Sequence, residues 1–290
     1  MRFATDASDP ARLGMRALVP SDAGRLVALS AEAGWNQTAD DWRLMLELGE
    51  GIGCWEPDGA PIASALVLPY DGGFAWLSMV LVTAPWRRRG LATRLVRRCL
   101  DRLAEIGVPP ILDATEGGRR TYSRLGFTDL WTYTRLAAER PRLAPAAGID
   151  VRPMTPTDLD AVAALEARAF GAPRKHVLAA MLARAPDAAY LAESGGRLCG
   201  LVLARDGRLA IQLGPLVAET PEVARGLAAA ALAGTGGPVF VDLPDAQGAF
   251  RAALEGAGFA AQRGLVRMAA GRGDPGEASL RYALAGPELG

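Results

Sequence analysis

The sequence predicts an α+β protein made of two tandem copies of one fold. Each copy would be a mixed, mostly antiparallel sheet flanked by helices. Three observations carry this. The chain has 290 residues, half of them hydrophobic, which is enough for two ordinary cores. Segments of period-two alternation are interleaved with segments of helical period. And the chain repeats itself. Met15-Arg16-Ala17-Leu18-Val19-Pro20-Ser21-Asp22 is echoed by Val151-Arg152-Pro153-Met154-Thr155-Pro156-Thr157-Asp158. Leu125-Gly126-Phe127 is echoed by Ala257-Gly258-Phe259, and Thr134-Arg135-Leu136 by Val266-Arg267-Met268. The common order of the matches argues against chance.

The elements follow from the N-terminus. Residues 1–14 lack the apolar run of a signal peptide and read as a flexible leader. Residues 15–137 form the first domain, 138–148 a linker rich in Pro and Ala, and 149–290 the second domain. In the first domain a strand lies near residues 14–18. A helix runs from about 22 to 33, entered through Ser21-Asp22. A short helix follows Thr38, with Asp40 and Asp41 in its first turn. Strands are expected at 51–56, 61–69 and 74–83, with a turn at Pro57-Asp58-Gly59. The helix after Gly90 reaches about Glu105 and carries Leu91, Leu95, Val96 and Leu100 on one face. Ile111–Asp113 is a short strand, a small helix carries Tyr122, and a last strand pair occupies 127–137.

Composition narrows the function. Formal net charge is zero, which argues against a general polyanion binder and leaves any basic site local. Lys175 is the only lysine, and the wealth of Arg, Ala and Gly reads as coding bias from a GC-rich genome. Cys54, Cys99 and Cys199 have neither zinc spacing nor the even count of a disulfide framework. No metal site is expected, and a reducing cytoplasm fits. No apolar stretch is long enough to span a membrane.

The most informative stretch is Ala84-Pro85-Trp86-Arg87-Arg88-Arg89-Gly90-Leu91-Ala92-Thr93. It joins the strand Leu77–Val82 to a helix N-terminus. Three arginines could simply solubilise a turn, could bind nucleic acid, or could seat a smaller phosphate group. No second basic stripe with interleaved aromatics supports nucleic acid. A strand, a basic glycine-containing turn and a helix start together make an anion site. The first-turn N–H groups are free, the helix dipole favours negative charge, and Gly90 admits close backbone approach.

The segment from Val82 to Ala92 resembles the coenzyme signature of the GNAT N-acetyltransferases, in which a Val-ended strand precedes Arg/Gln-x-x-Gly-x-Gly/Ala. Tyr122-Ser123-Arg124-Leu125-Gly126-Phe127 resembles the Y-x-x-x-G-F segment that closes the same fold. The resemblance covers most of residues 15–137 and implies acetyl-CoA as cofactor. It implies that backbone groups of Val80, Leu81 and Val82 pair with the pantetheine arm. Residues Arg87, Arg88, Arg89, Gly90, Leu91, Ala92 and Thr93 would hold the pyrophosphate, and Tyr122 would stand near the coenzyme sulfur. Many members carry Asn seven residues before that Tyr; here it is Thr115, whose hydroxyl can make part of the same contact.

The implied chemistry is direct attack of a neutral amine on the thioester. A backbone N–H at Leu81 or Val82 would stabilise the developing oxyanion, and Tyr122 would protonate the leaving thiolate. Asp113, Glu116 and Glu56 are candidate bases. His176, the only histidine, falls in a second-half helix and reads as surface or packing. The loop Gly34-Trp35-Asn36-Gln37-Thr38 borders the acceptor pocket in this fold. Trp35 could be a wall and Asn36 a polar reader, or both could be structural. The stretch resembles a bacterial subgroup of two-domain GNAT proteins.

The second half lacks this chemistry. Its matching turn carries Glu219 and Glu222 instead of arginines, and Leu254 stands at the Tyr position. Arg174, Asp242 and Asp245 could face the acceptor cleft or be ordinary strand-end charges. The expectation is an acetyl-CoA-dependent N-acetyltransferase with one active domain and a small-molecule amine acceptor. Aminoglycoside, polyamine, amino acid and protein N-terminus all remain open. A catalytically silent acyl-CoA-binding regulatory protein is the alternative, and neither nucleic acid nor membrane is an expected partner.

Overall fold

The computed structural model describes residues 13–290, so the leader lies outside the described residues except for Leu13 and Gly14. The chain forms two compact units. The first is Met1–Pro69 with Leu77–Val108, and the second is Tyr70–Trp76 with Pro109–Gly290. These units do not follow the sequence repeat, and the reason lies in the strand pairing described below.

In the first unit β1 (Met15–Leu18) pairs antiparallel with β2 (Glu50–Trp55), and β2 with β3 (Pro61–Tyr70). β4 (Phe74–Val82) is the next strand in order. α1 (Ala23–Glu32) and α2 (Ala39–Leu48) connect β1 to β2. α2 starts where Thr38 and Asp41 cap each other: Asp41 N–H donates to the Thr38 hydroxyl at 3.4 Å, and Thr38 N–H to the Asp41 carboxylate at 2.8 Å. Trp42 Nε1 donates to Ser30 Oγ at 3.2 Å and ties α2 to α1. α3 (Leu91–Glu105) buries Leu91, Leu95, Val96, Cys99 and Leu103, which recur at helical spacing.

The repeat has a physical basis at its first motif. Arg16 donates to both Asp22 oxygens at 2.8 Å, and Arg152 to both Asp158 oxygens at 3.0 and 2.8 Å. Each pair staples a first strand to the helix that follows it.

The second unit contains β5 (Pro110–Thr115), α4 (Glu116–Ser123) and β6 (Thr128–Ala138) from the first half. From the second half come β7 (Asp150–Pro153), α5 (Leu159–Phe170), α6 (Lys175–Arg184) and β8 (Tyr190–Ser194). Then follow β9 (Arg197–Arg205), β10 (Ile211–Ala218), α7 (Pro221–Ala233) and β11 (Val239–Pro244). α8 (Gly248–Gly256), β12 (Ala260–Ala269) and β13 (Arg281–Ala283) complete the chain. Strand order across this unit is β5-β12-β6-β11-β10-β9-β8-β7, with β13 against β10. The first residues of β4 join β5 in parallel through Ala75↔Pro110 and Trp76↔Ile111.

This order corrects one expectation. The segment 127–137 is not a strand pair but one continuous strand, β6, and its partners come from the second half: β12 on one edge and β11 on the other. Conversely β12 is inserted between β5 and β6. The halves have exchanged their last strands. A reciprocal pair of buried ion pairs marks the exchange. Arg135 of β6 donates to Asp242 of β11 at 2.8 and 2.6 Å, and Arg267 of β12 donates to both oxygens of Asp113 on β5 at 2.9 Å. The Arg267 guanidinium also lies 4.4 Å from the ring centres of both Trp76 and Trp131. A core that includes Leu136 of β6 with Val202, Leu216, Leu227, Val241 and Phe250 of the second half packs α7 and α8 on the sheet.

Candidate active site

In the first unit the site begins on β4. Met79 has φ of +50°, a left-handed residue inside a strand, and its carbonyl accepts from Ser64 Oγ at 2.7 Å. Ser64 is a polar residue fully buried in the otherwise apolar β3, and it satisfies the backbone that this irregularity displaces. Thr83 N–H donates back to Ile62 O on β3 at 2.9 Å. Strand alternation then turns Leu81 N–H to the same edge and leaves Val80 and Val82 to offer theirs to the opposite one.

The turn after β4 is built for backbone approach. Arg88 has φ of +61° and Gly90 of +77°. Two left-handed residues in three positions make the kind of turn that gathers N–H groups into an anion-binding concavity. α3 then starts with Gly90 as its N-cap and no capping side chain; the first helical bond is Arg94 N–H to Gly90 O at 3.0 Å. The N–H groups of Leu91, Ala92 and Thr93 are therefore open to a ligand. A Cβ built on Gly90 meets nothing within 4 Å, so the space before the helix is clear.

The three arginines have separate roles. Arg87 Nε donates to Val82 O at 2.9 Å and its Nη2 to Glu32 at 3.0 Å, while Glu32 also accepts Ala84 N–H at 2.6 Å. Arg87 thus braces the turn against the end of α1, which corrects its expected part as a direct phosphate ligand. Arg89 lies over Trp86 at 5.2 Å. Arg88 is exposed and has no ion pair with any described residue. The buried Trp86 in turn donates to Glu56 at 2.9 Å, so Glu56 supports the turn and is withdrawn as a base. Just past α1, Trp35 is half-buried and Asn36 is buried. Their neighbour Gln37, which sequence reasoning passed over, is buried with its Oε1 unpartnered among the described residues. An unpaired buried acceptor is costly, which makes it the stronger polar candidate in this loop.

In the second unit Thr115 caps α4, its hydroxyl accepting Gly118 N–H at 3.3 Å. Glu116 is exposed beside it. Tyr122 is half-buried, its ring edge-on to Phe127 at 5.9 Å, and its carbonyl accepts the N–H of Phe127 at 3.1 Å. The glycine of the Y-x-x-x-G-F segment, Gly126, takes the left-handed turn (φ +90°) that brings Phe127 back under Tyr122.

Four candidates are corrected by their surroundings. The Asp113 carboxylate is wholly buried and committed to Arg267, so it holds β5 to β12 and reads no acceptor. Arg174 is buried against Glu166 and donates to the carbonyls of Leu289 and Gly290 at 2.8 and 3.0 Å. Asp242 is the partner of Arg135, and Asp245 accepts from the Thr132 and Thr134 hydroxyls at 2.5 and 2.7 Å. These last three have structural roles. His176 is exposed near the start of α6, its pKa lowered by partial burial.

The corresponding turn of the second half is closed. α7 begins with Thr220, whose hydroxyl accepts Val223 N–H at 3.3 Å, followed by Pro221, which has no N–H to give. Glu219 pairs with Arg197, and Glu222 puts negative charge in the first turn. The helix end that stands open in α3 is occupied here by the chain's own side chain.

Comparisons with known proteins find a GNAT domain in each half. The GNAT acetyltransferase family matches residues 26–127, and an acetyltransferase (GNAT) domain family matches residues 162–283. The uncharacterized N-acetyltransferase YitH of Bacillus subtilis is 23% identical over 221 residues, 76% of this chain and 78% of that one. A holothin acyltransferase from a Pseudoalteromonas species is 28% identical over 236 residues, 79% of this chain and 78% of that one. A crystal structure from Pyrococcus horikoshii superposes with a TM-score of 0.77 at 22% identity, covering 95% of each chain, and shows the same fold. No described helix is long and apolar enough to cross a membrane.

Proposed function

Because the chain belongs to the GNAT family of N-acyltransferases and carries two GNAT domains, we propose that it moves an acetyl group from acetyl-CoA to the primary amine of a small molecule, using its first domain alone. The family's donors are acyl-CoA thioesters; acetyl as the acyl group and a small amine as the acceptor are our reading. We take residues 15–137 as the catalytic domain, 138–148 as linker and 149–290 as the degenerate partner. The observation that carries the proposal is the uncapped N-terminus of α3 behind the left-handed Arg88 and Gly90. Its open N–H groups and clear space fit a pyrophosphate, and the capped α7 does not.

Bound coenzyme supplies an activated thioester. The residues of this chain do the rest. Val80 and Val82 present N–H groups along the pantetheine arm, and Val82 N–H donates to the thioester oxygen as negative charge grows there. Leu91, Ala92 and Thr93 hold the pyrophosphate, with Arg88 adding charge. As the amine nitrogen bonds to the carbonyl carbon and the carbon–sulfur bond breaks, Tyr122 gives its phenolic proton to the sulfur. Asn36 and Gln37 offer amide groups to the acceptor beside Trp35. Glu116, the exposed acid at the head of α4, is the remaining candidate for taking the ammonium proton.

A thiol-release assay with acetyl-CoA against a panel of polyamines, aminoglycosides, amino acids and peptides tests the proposal. Release that requires one class of amine is expected. Coenzyme binding without release on any amine would make the protein a silent acyl-CoA binder.

A further inference from the structure

β10 stands in the second half where β4 stands in the first. β4 meets β5 through two residue pairs only, and among the described residues no other strand joins that edge. β10 likewise meets β11 in parallel through Ile211↔Val239, Gln212↔Phe240 and Leu213↔Val241, where that pairing ends, and just beyond it the register of β10 against β9 breaks between Leu213 and Leu216. Beyond the break the same edge is not empty. β13 pairs with it antiparallel through Leu216↔Ala283 and Val217↔Arg281. One residue later Leu284 N–H donates to Asp242 O on β11 at 3.0 Å. The segment 281–284 therefore bridges two diverging strands.

The fit is close on every side. Gly214 has no side chain where the tail passes, and a Cβ there would lie 2.0 Å from Leu284 O. Leu280, Tyr282, Ala283, Leu284 and Ala285 are all buried. Tyr282 sits edge-on to Phe250 at 5.5 Å, and Gln247 Nε2 donates to Arg281 O at 2.8 Å. Further along, Trp76 Nε1 donates to Pro287 O at 2.8 Å and Tyr70 to Leu289 O at 3.0 Å. The space left beside the tail is about 20 Å³, room for about one water.

We propose that the gap between β10 and β11 is a strand-accepting slot, the counterpart of the pantetheine seat on β4, and that residues 281–285 of the same chain are its resident ligand. The slot's shape is kept and its occupant is a peptide. This rests on reading the β4 edge as the pantetheine seat. Extended peptide and pantetheine share the chemistry such a slot rewards: amides spaced to pair with a strand edge, and a narrow apolar body.

A protease site inserted after Gly273, in the exposed loop before the tail, separates the segment from the folded full-length chain. The cut tail should stay bound through gel filtration. Introducing Leu284→Pro removes the N–H given to Asp242 and should release it, with amide exchange at Leu216 and Val217 rising about tenfold or more. Loss of the wild-type tail on cutting, with exchange at Leu216 and Val217 unchanged, would overturn the proposal. Equal retention of the Leu284→Pro tail would do the same. Coenzyme titration of the cut sample reads the first-half site separately: its absence would count against the function proposed above and leave the tail result standing.

Discussion

Arg87 and Arg88 are neighbours of one type with opposite duties. The first folds back on Val82 O and Glu32; the second has no ion pair with any described residue and takes a left-handed conformation that few non-glycine residues adopt. Type alone made both phosphate ligands, because the partner of Arg87 lies 55 residues earlier in the chain. Asp113 shows the same limit. An acid near the end of a strand reads as a base until Arg267, 154 residues away, is seen to hold it. Three variants test this scale. Asp113→Ala leaves a buried guanidinium unpaired and should cost about 3–5 kcal/mol of stability in chemical denaturation. Replacing both partners, Asp113→Leu with Arg267→Met, should recover most of that loss. Tyr122→Phe keeps the ring on Phe127 and removes the proton. Turnover should fall by roughly 10²-fold or more with coenzyme affinity nearly unchanged. A loss under about threefold, with chemistry limiting, would return Tyr122 to packing.

Among the elements, most of what the sequence offered was local. The Thr38 cap, the Pro57-Asp58-Gly59 turn, the amphipathic face of α3 and the Tyr122 helix could all be read from residues a few places apart. Strand partners could not. Period-two alternation tells which face of β6 is buried and says nothing of which chain segment lies beside it. That is why a strand pair was expected at 127–137, where one strand takes both neighbours from the far half. Arg135 and Arg267, at matching places in the repeat, are the one signal the sequence carries. A repeat alone does not say that each arginine reaches an acid on the other half. The contrast between α3 and α7 belongs to this scale too. Thr220→Ala removes the cap of α7 and should lower stability by about 1 kcal/mol, measured by thermal unfolding, without creating a second coenzyme site. Pro221 and Glu222 still close that turn.

For the molecule as a whole, the exchange of β6 and β12 builds the second compact unit from strands of both halves, although their sequences read as separate domains. Cutting the chain in the 138–148 linker should leave both pieces together on gel filtration without denaturant. The first half made alone, residues 13–140, should fail to give a cooperative transition, because β5 and β6 then lack β12. The second half has kept the fold, closed its helix end with Thr220 and filled its slot with the chain's own tail. On this reading one of two similar halves binds coenzyme. Calorimetric titration of the intact chain with a non-transferable acetyl-CoA analogue tests it most directly, run beside Gly90→Glu, which sets bulk and negative charge into the open turn. One site per chain is expected, lost in the variant while its folding transition is unchanged. Two equivalent sites, or one site that survives Gly90→Glu, would contradict it.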